Sequence, residues 1–181
     1  MHNFARSVLA LASIRTGLHA RDPVALNLCF ALQFDRMRCE AIAEAMGVAL
    51  ERPALPELPA ETTLYDVIVE NLRGDLALVV EGGFASDRLR TSVLLVETLA
   101  RRHSLGAWSE GEELDDLGAL LGRRPRDLAS GHVALDDAIA CDDGRREAEI
   151  LRALARMAYR AEAIAAPVVS LFPGARLRPV A

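Results

Sequence analysis

The longest helix that the sequence predicts covers residues 23–46, PVALNLCFALQFDRMRCEAIAEAM. Asp22 suits the N-cap position, Pro23 suits the first helical position, and Gly47 follows as a stop signal. The first half of this segment, residues 24–34, is apolar nearly all round, which is typical of a helix that is buried on most sides. The other helices are modest, so we expect a homodimer interface to complete its burial.

Start and stop signals of the same kind divide the rest of the chain, and no run of alternating β-branched residues competes with them. Besides residues 23–46, the predicted helices cover residues 3–18, 64–81, 86–103, 109–121, 125–141 and 145–167. The prediction is an all-α bundle of about six to seven helices.

A proline-rich connector follows the second helix. Pro53, Pro56 and Pro59 recur at the spacing of a polyproline II helix, which predicts a semi-rigid extended segment over residues 48–62. A PxxP ligand for an aromatic-lined groove is the alternative. We interpret residues 1–181 as one domain, and its predicted parts are a helical hairpin 1–47, the connector, a bundle 63–171 and a loose tail 172–181.

The sequence predicts a capped third helix with one buried face. Thr63 and Asp66 form a capping pair for the third helix, whose buried stripe is predicted to be Leu64, Ile68, Leu72, Leu76 and Val79.

The last long helix carries one row of charge, Arg145, Arg152, Arg156 and Arg160 with Glu149. Such a row is typical of a solvated helix face, and a grip on a phosphate or an acidic partner is the alternative.

Composition excludes some chemistry. All 21 basic residues are arginine, so no lysine is present to form a Schiff base or to bind phosphate as a Walker lysine does. The three cysteines form no CxxC pair, which favours reduced thiols in a cytoplasmic protein. No apolar run is long enough to span a membrane, and we interpret the acid-free N-terminus as an ordered helix rather than a targeting peptide. The arginine- and alanine-rich composition suggests a GC-rich bacterial genome.

Charge is shared unevenly along the chain. Residues 63–122 carry 11 acidic residues against 5 arginines, whereas residues 123–181 carry 10 arginines against 8 acidic residues. The two segments can complement each other within one bundle or between copies of an oligomer. With a net charge of −5, the protein is not expected to bind nucleic acid through a basic surface.

A carboxylate-bridged metal site is the first chemical candidate in a helical bundle. Glu40, Glu70, Glu97 and Glu162 place one carboxylate on each of four predicted helices. A di-iron site also needs Glu-x-x-His pairs, and this sequence has none. We therefore expect neither a metal nor a cofactor, and we interpret the four glutamates as residues of solvated faces.

Arg126, Asp127 and His132 form the second candidate. An arginine, a polar residue and then a histidine at this spacing resembles the motif of HEPN-type ribonucleases, which are small all-helical domains and often dimers. The resemblance implies that Arg126 would stabilise charge on an RNA phosphodiester while His132 moves a proton. The alternative is that Arg126 and Asp127 are surface residues of the first turn and His132 is a partly exposed packing residue, with Gly131 interrupting the helix beside it.

A ligand pocket is the third candidate. The second helix carries Asn27 and Gln33 in an otherwise apolar run, and buried polar groups need partners. They could line an apolar pocket with neighbouring large side chains, namely Phe30, Phe34 and Met37.

No candidate catalytic group is well supported, so the function that we expect is that of a non-enzymatic accessory or interaction protein. It would act through protein–protein contacts, most simply with another copy of itself as a homodimer, or with a different protein. The alternatives are a bundle that binds a small apolar molecule and a HEPN-like, metal-independent ribonuclease.

Overall fold

The computed structural model describes residues 23–58, 62–80 and 83–171, and every regular element within these ranges is helical. In chain order the elements are α1 (Pro23–Met46), α2 (Leu64–Asn71), a π-helical segment (Leu72–Leu76), α3 (Ala77–Val79), α4 (Gly83–Leu121), α5 (Leu128–Ala140), α6 (Glu147–Ile164) and α7 (Ala166–Val169). The prediction of an all-α bundle is confirmed. The predicted helix 3–18, the Asp22 cap, Pro59 and the tail 172–181 lie outside the described residues.

Helix α1 has the predicted bounds. Gly47 has a φ of 65°, in the left-handed region that glycine adopts without steric cost. The Gly47 amide donates to the Glu44 carbonyl at 3.2 Å, and the Val48 amide donates to the Ala43 carbonyl at 2.8 Å. This is a Schellman motif, which satisfies the last carbonyls of the helix and ends it.

Burial of α1 is less complete than predicted. Ala25, Cys29 and Phe30 are buried, but Leu28 and Ala31 are exposed. One face of the helix is therefore open in the single chain, and its burial by a second copy stays a prediction.

Helix α4 replaces two of the predicted helices. It runs for 39 residues, so the predicted break at residues 104–108 and the predicted starts at Ser86 and Ser109 are wrong. No proline interrupts this stretch, and Gly106 is not among the glycines with positive φ. Leu105 is buried at the predicted break, so packing stabilises the helix where propensity alone is weak. At 1.5 Å per residue, α4 is about 58 Å long.

The other helix ends differ by a few residues from their predicted positions. Helix α5 begins at Leu128 rather than at Pro125, because Asp127 caps it by accepting from the Ser130 amide at 2.8 Å. Helix α6 ends at Ile164, and Pro167 lies in the first turn of α7. The predicted third helix ends early, since Val80 is already extended.

The core consists of two clusters that α4 connects. One cluster joins the C-terminal part of α4 to α5 and α6, and its buried residues are Leu117, Leu120, Leu135 and Ala153. The other joins α1 to α7 through Ala25, Cys29 and Val168, with Leu94 and Leu95 of α4 packed against it. Residues 48–58 form neither helix nor strand, and they lie against α6 where the Arg52 guanidinium stacks 4.9 Å from the centre of the Tyr159 ring.

Candidate functional site: an exposed helical arm and the groove beneath it

The residues of the HEPN-like motif each have a local partner. Arg126 is 89% exposed, and its Nε donates to Asp127 Oδ2 at 2.9 Å. Hydrogen bonds from Ser130, together with Arg126, lower the pKa of Asp127 to about 2. His132 Nε2 lies 2.6 Å from Glu113 Oε1 of α4, so the imidazole is oriented by a carboxylate of another helix.

Gly131 does not interrupt α5. It is buried within the helix, and a Cβ added there would lie 2.7 Å from Leu117 Cδ1 and 3.1 Å from Pro125 Cγ. The residue is small because α5 approaches α4 closely at this point. The expected break beside His132 is therefore wrong.

The five candidate pocket residues of α1 do not share one environment. Asn27 is exposed, Phe30 and Gln33 are buried, and Phe34 and Met37 are half-buried. Gln33 Nε2 donates to the Val169 carbonyl at 3.5 Å, so it connects α1 to the short helix α7. The ligand pocket at these residues stays a prediction.

The arginine row of α6 is not one solvated stripe. Arg156 Nε donates to Asp116 Oδ1 at 2.8 Å, and Arg160 Nη2 donates to Asp116 Oδ2 at 2.5 Å. Arg160 is only 1% exposed, whereas Arg145 and Arg152 are exposed. The solvated-face interpretation is wrong for Arg160, because α6 turns that part of the row towards α4.

The glutamates that were expected on solvated faces are mostly engaged in partly buried ion pairs. Glu40 and Glu162 both contact Arg36, at 2.5 and 2.7 Å. Tyr159 donates its hydroxyl to Glu40 at 3.2 Å, and burial together with this carboxylate raises the pKa of the phenol. Among residues 23–58, 62–80 and 83–171, no three His, Cys, Asp or Glu side chains group as metal ligands.

Residues 64–79, which comprise α2, the π-helical segment and α3, form what we call the arm. The predicted capping pair begins it, since the Thr63 amide donates to Asp66 Oδ2 at 2.6 Å and the Asp66 amide donates to Thr63 Oγ1 at 3.4 Å. The Thr63 amide and the Thr63 hydroxyl both donate to this carboxylate, and they lower the pKa of Asp66. Capping fixes where the arm starts.

The arm packs through a face that overlaps the predicted stripe only at Leu72. Tyr65, Val69 and Leu72 are its half-buried residues, and the Tyr65 ring lies 5.8 Å from that of His103 in α4. The predicted buried stripe is instead mostly exposed, and no residue of the arm is classed as buried. We call its large exposed apolar residues the outer face: Leu64, Val67, Ile68, Leu76, Leu78 and Val79.

A sequence signal for this arrangement existed. The segment LYDVIVEN has apolar residues on both sides of a helix, so one stripe could pack on α4 while a second remained. Periodicity identified one stripe but could not show which of the two faces the bundle.

A groove lies between the inner side of the arm, α4 and α7. Its volume is 490 Å³, and four separate segments line it: residue 58 of the connector, residues 63–73 of the arm region, residues 94–104 of α4 and residues 167–170 of α7. Arg73 lies in the π-helical segment and donates to Glu97 of α4 at 2.7 Å. Segments of π-helix are rare and often accompany functional sites. Arg101 reaches across the groove floor to the Ala163 carbonyl at 3.2 Å.

Comparison of this chain with protein-family models, curated proteins and solved structures finds no significant match. Within the part of the chain that the structure describes, no helix combines the length and the apolar character needed to span a membrane. The fold and the two surfaces of the arm therefore provide the basis for a functional proposal.

Proposed function

We propose that this protein is a helical interaction protein that self-associates through the outer face of the arm. The proposal rests on one observation: a helical segment without a buried residue carries several large, solvent-exposed apolar side chains. Leu64 is 82% exposed, Leu78 is 84% exposed and Val79 is 73% exposed. An isolated exposed leucine is ordinary, but several large exposed apolar side chains on one short segment indicate an interaction surface.

A second copy of the chain is the occupant that suits this face. Two copies could bury these apolar side chains against each other, with the exposed acidic residues of the arm, Glu70 and Asp75, kept at the solvated rim. A two-fold axis would bring the same patch of each copy together, which is the commonest arrangement among homo-oligomers. Burial of each exposed leucine would contribute about 1.5–3 kcal/mol of apolar transfer free energy.

The uneven distribution of charge along the chain gives no reason to expect a charged interface between two copies. Its opposed segments already meet within the bundle, where Asp116 contacts Arg156 and Arg160. Asp115 and Arg124 pair in the same way at 3.0 Å. Complementarity between copies is therefore expected to be apolar rather than ionic.

The test is the mass of the purified protein in solution, measured by sedimentation velocity over a range of concentrations. We expect the native chain to be a dimer and Leu78→Asp to be a monomer. The charge would have to be buried in the interface, so the substitution should weaken association about thirtyfold or more.

Val133→Asp is the matched control, since Val133 is 64% exposed on α5, outside the arm. It should leave the dimer intact. A native chain that is monomeric at high concentration would contradict the proposal, as would a Leu78→Asp variant that still dimerises while retaining native helicity. A bacterial origin and a cytoplasmic location stay predictions from composition. The ribonuclease and the apolar-pocket alternatives also stay predictions.

A further inference from the structure

We infer that the groove beneath the arm binds a small organic anion, whose carboxylate or phosphate head group contacts Arg101 and whose short apolar body lies along the groove wall. This site is separate from the outer face of the arm, so it goes beyond the proposed self-association. The groove has a volume of 490 Å³, within the range of roughly 300–1,000 Å³ that small-molecule sites occupy.

The acidic and hydroxyl side chains that line the groove each have a partner within the protein. Asp66 is occupied by Thr63, and Glu97 is occupied by Arg73. The hydroxyl groups of Ser104 and Ser170 donate to backbone carbonyls of their own helices, at 3.1 and 2.6 Å. Each carboxylate thus has a neighbouring donor, although it keeps further acceptor sites.

Arg101 differs from these four side chains because part of its hydrogen-bonding capacity is unused. Its Nε donates to the Ala163 carbonyl near the C-terminus of α6, and this bond fixes the guanidinium in place. Its two terminal amino groups form no hydrogen bond to any residue that the structure describes. A held guanidinium with two free N–H-bearing nitrogens matches the paired oxygens of a carboxylate or phosphate.

Arg73 adds a second cation at the same groove. Its side chain is 58% exposed and makes one contact, to Glu97 Oε1. Since arginine has five N–H donors, it can keep that ion pair and still donate to a ligand. The apolar part of such a ligand would contact Leu58, Leu94 and Pro167, which line the same groove.

The experiment is a titration of the ¹⁵N-labelled full chain with sodium octanoate, hexyl phosphate and the neutral 1-octanol. We expect octanoate or hexyl phosphate, at millimolar concentration, to shift the amide resonances of residues 94–104 and 168–170. Comparison of the two identifies the head group. Octanol should bind about tenfold more weakly, because it lacks the charge that Arg101 recognises.

Arg101→Gln should weaken binding of the anion by about tenfold. Arg102→Gln is the matched control, since Arg102 is exposed and adjacent in α4 but does not line the groove. Leu78→Asp should bind as the native chain does, which separates this site from self-association. Absence of binding by both anions, equal binding of octanol, or an unchanged affinity in Arg101→Gln would overturn the inference. The comparison with octanol needs no variant, so it remains decisive if Arg101→Gln does not fold.

Discussion

Asp116 holds two arginines of another helix, and one of them, Arg160, is almost completely removed from solvent. The Nε of Arg160 has no hydrogen-bond partner among the described residues, so the carboxylate is the main compensation for a buried charge. Removing one member of a buried ion pair is costly because the other charge remains in a poorly solvated place. At the scale of single residues, this carboxylate is the most sensitive position that we identify.

Asp116→Ala should lower the free energy of unfolding by about 3 kcal/mol or more. The neighbouring substitution Asp115→Ala removes an exposed pair with Arg124 and should change it by less than about 1 kcal/mol. Urea denaturation of both variants measures the difference.

The double variant Asp116→Ala/Arg160→Met tests the physical reason. It removes the unpaired buried charge, so it should be more stable than Asp116→Ala alone. Equal stability of the single and double variants would show that lost packing, and not the stranded guanidinium, causes the effect.

The Asp127 carboxylate should make the stability of the folded protein depend on pH under acidic conditions. Its pKa in the folded protein is about 2, below the ordinary aspartate value of 3.8, because it accepts hydrogen bonds at the start of α5. A lowered folded pKa stabilises the native state above the unfolded pKa, and that stabilisation is lost as pH falls through the folded value. The advantage of the native chain over Asp127→Ala should thus be constant above about pH 5 and decline from about pH 4 towards pH 2.

Melting temperatures followed by circular dichroism across this pH range provide the measurement. Asp136→Ala removes an exposed aspartate from the same helix and should show no such decline. A difference between the native chain and Asp127→Ala that does not depend on pH would contradict the assignment of the cap to the ionised carboxylate.

At the scale of elements, α4 shows how packing overrides local signals. The sequence predicted a break at residues 104–108, but the helix continues through it, and Leu105 is buried there. The arm shows the reverse effect, because its apolar stripe is strong and still remains exposed. Periodicity located both helices but could not show which segments join or which face packs.

Two glycine substitutions distinguish the effect of helix propensity on stability from the effect of side-chain packing. A Cβ at Gly111 would meet no atom within 4 Å, so Gly111→Ala should stabilise α4 by about 0.5–1 kcal/mol. At Gly131 the same methyl group would lie 2.7 Å from the side chain of Leu117, which is fully buried. Gly131→Ala should therefore destabilise the protein by about 1–3 kcal/mol.

Thermal or urea denaturation measures the change in stability of each variant. We expect an increase for Gly111→Ala and a decrease for Gly131→Ala. A stabilising effect at Gly131 would mean that α5 can move away from α4 without cost, contrary to the close approach that the structure shows.

At the scale of the whole molecule, α4 joins two core clusters, one with α5 and α6 and the other with α1 and α7. The arm packs along α4 through its inner face alone, and its outer face is available to another copy. The same placement opens the groove that contains Arg101. Self-association and ligand binding would thus use opposite sides of one segment.

The sequence by itself determined the helical class, the bounds of α1 and the capping pair of the arm. These features depend on neighbours along the chain: Gly47 ends a helix through its own backbone freedom, and Thr63 contacts Asp66 one turn away. Tertiary structure decided the continuity of α4, the burial of Arg160, the exposure of the arm and the groove at Arg101. Each of these depends on which segments, distant along the chain, pack together, and helical periodicity describes a face without specifying its partner.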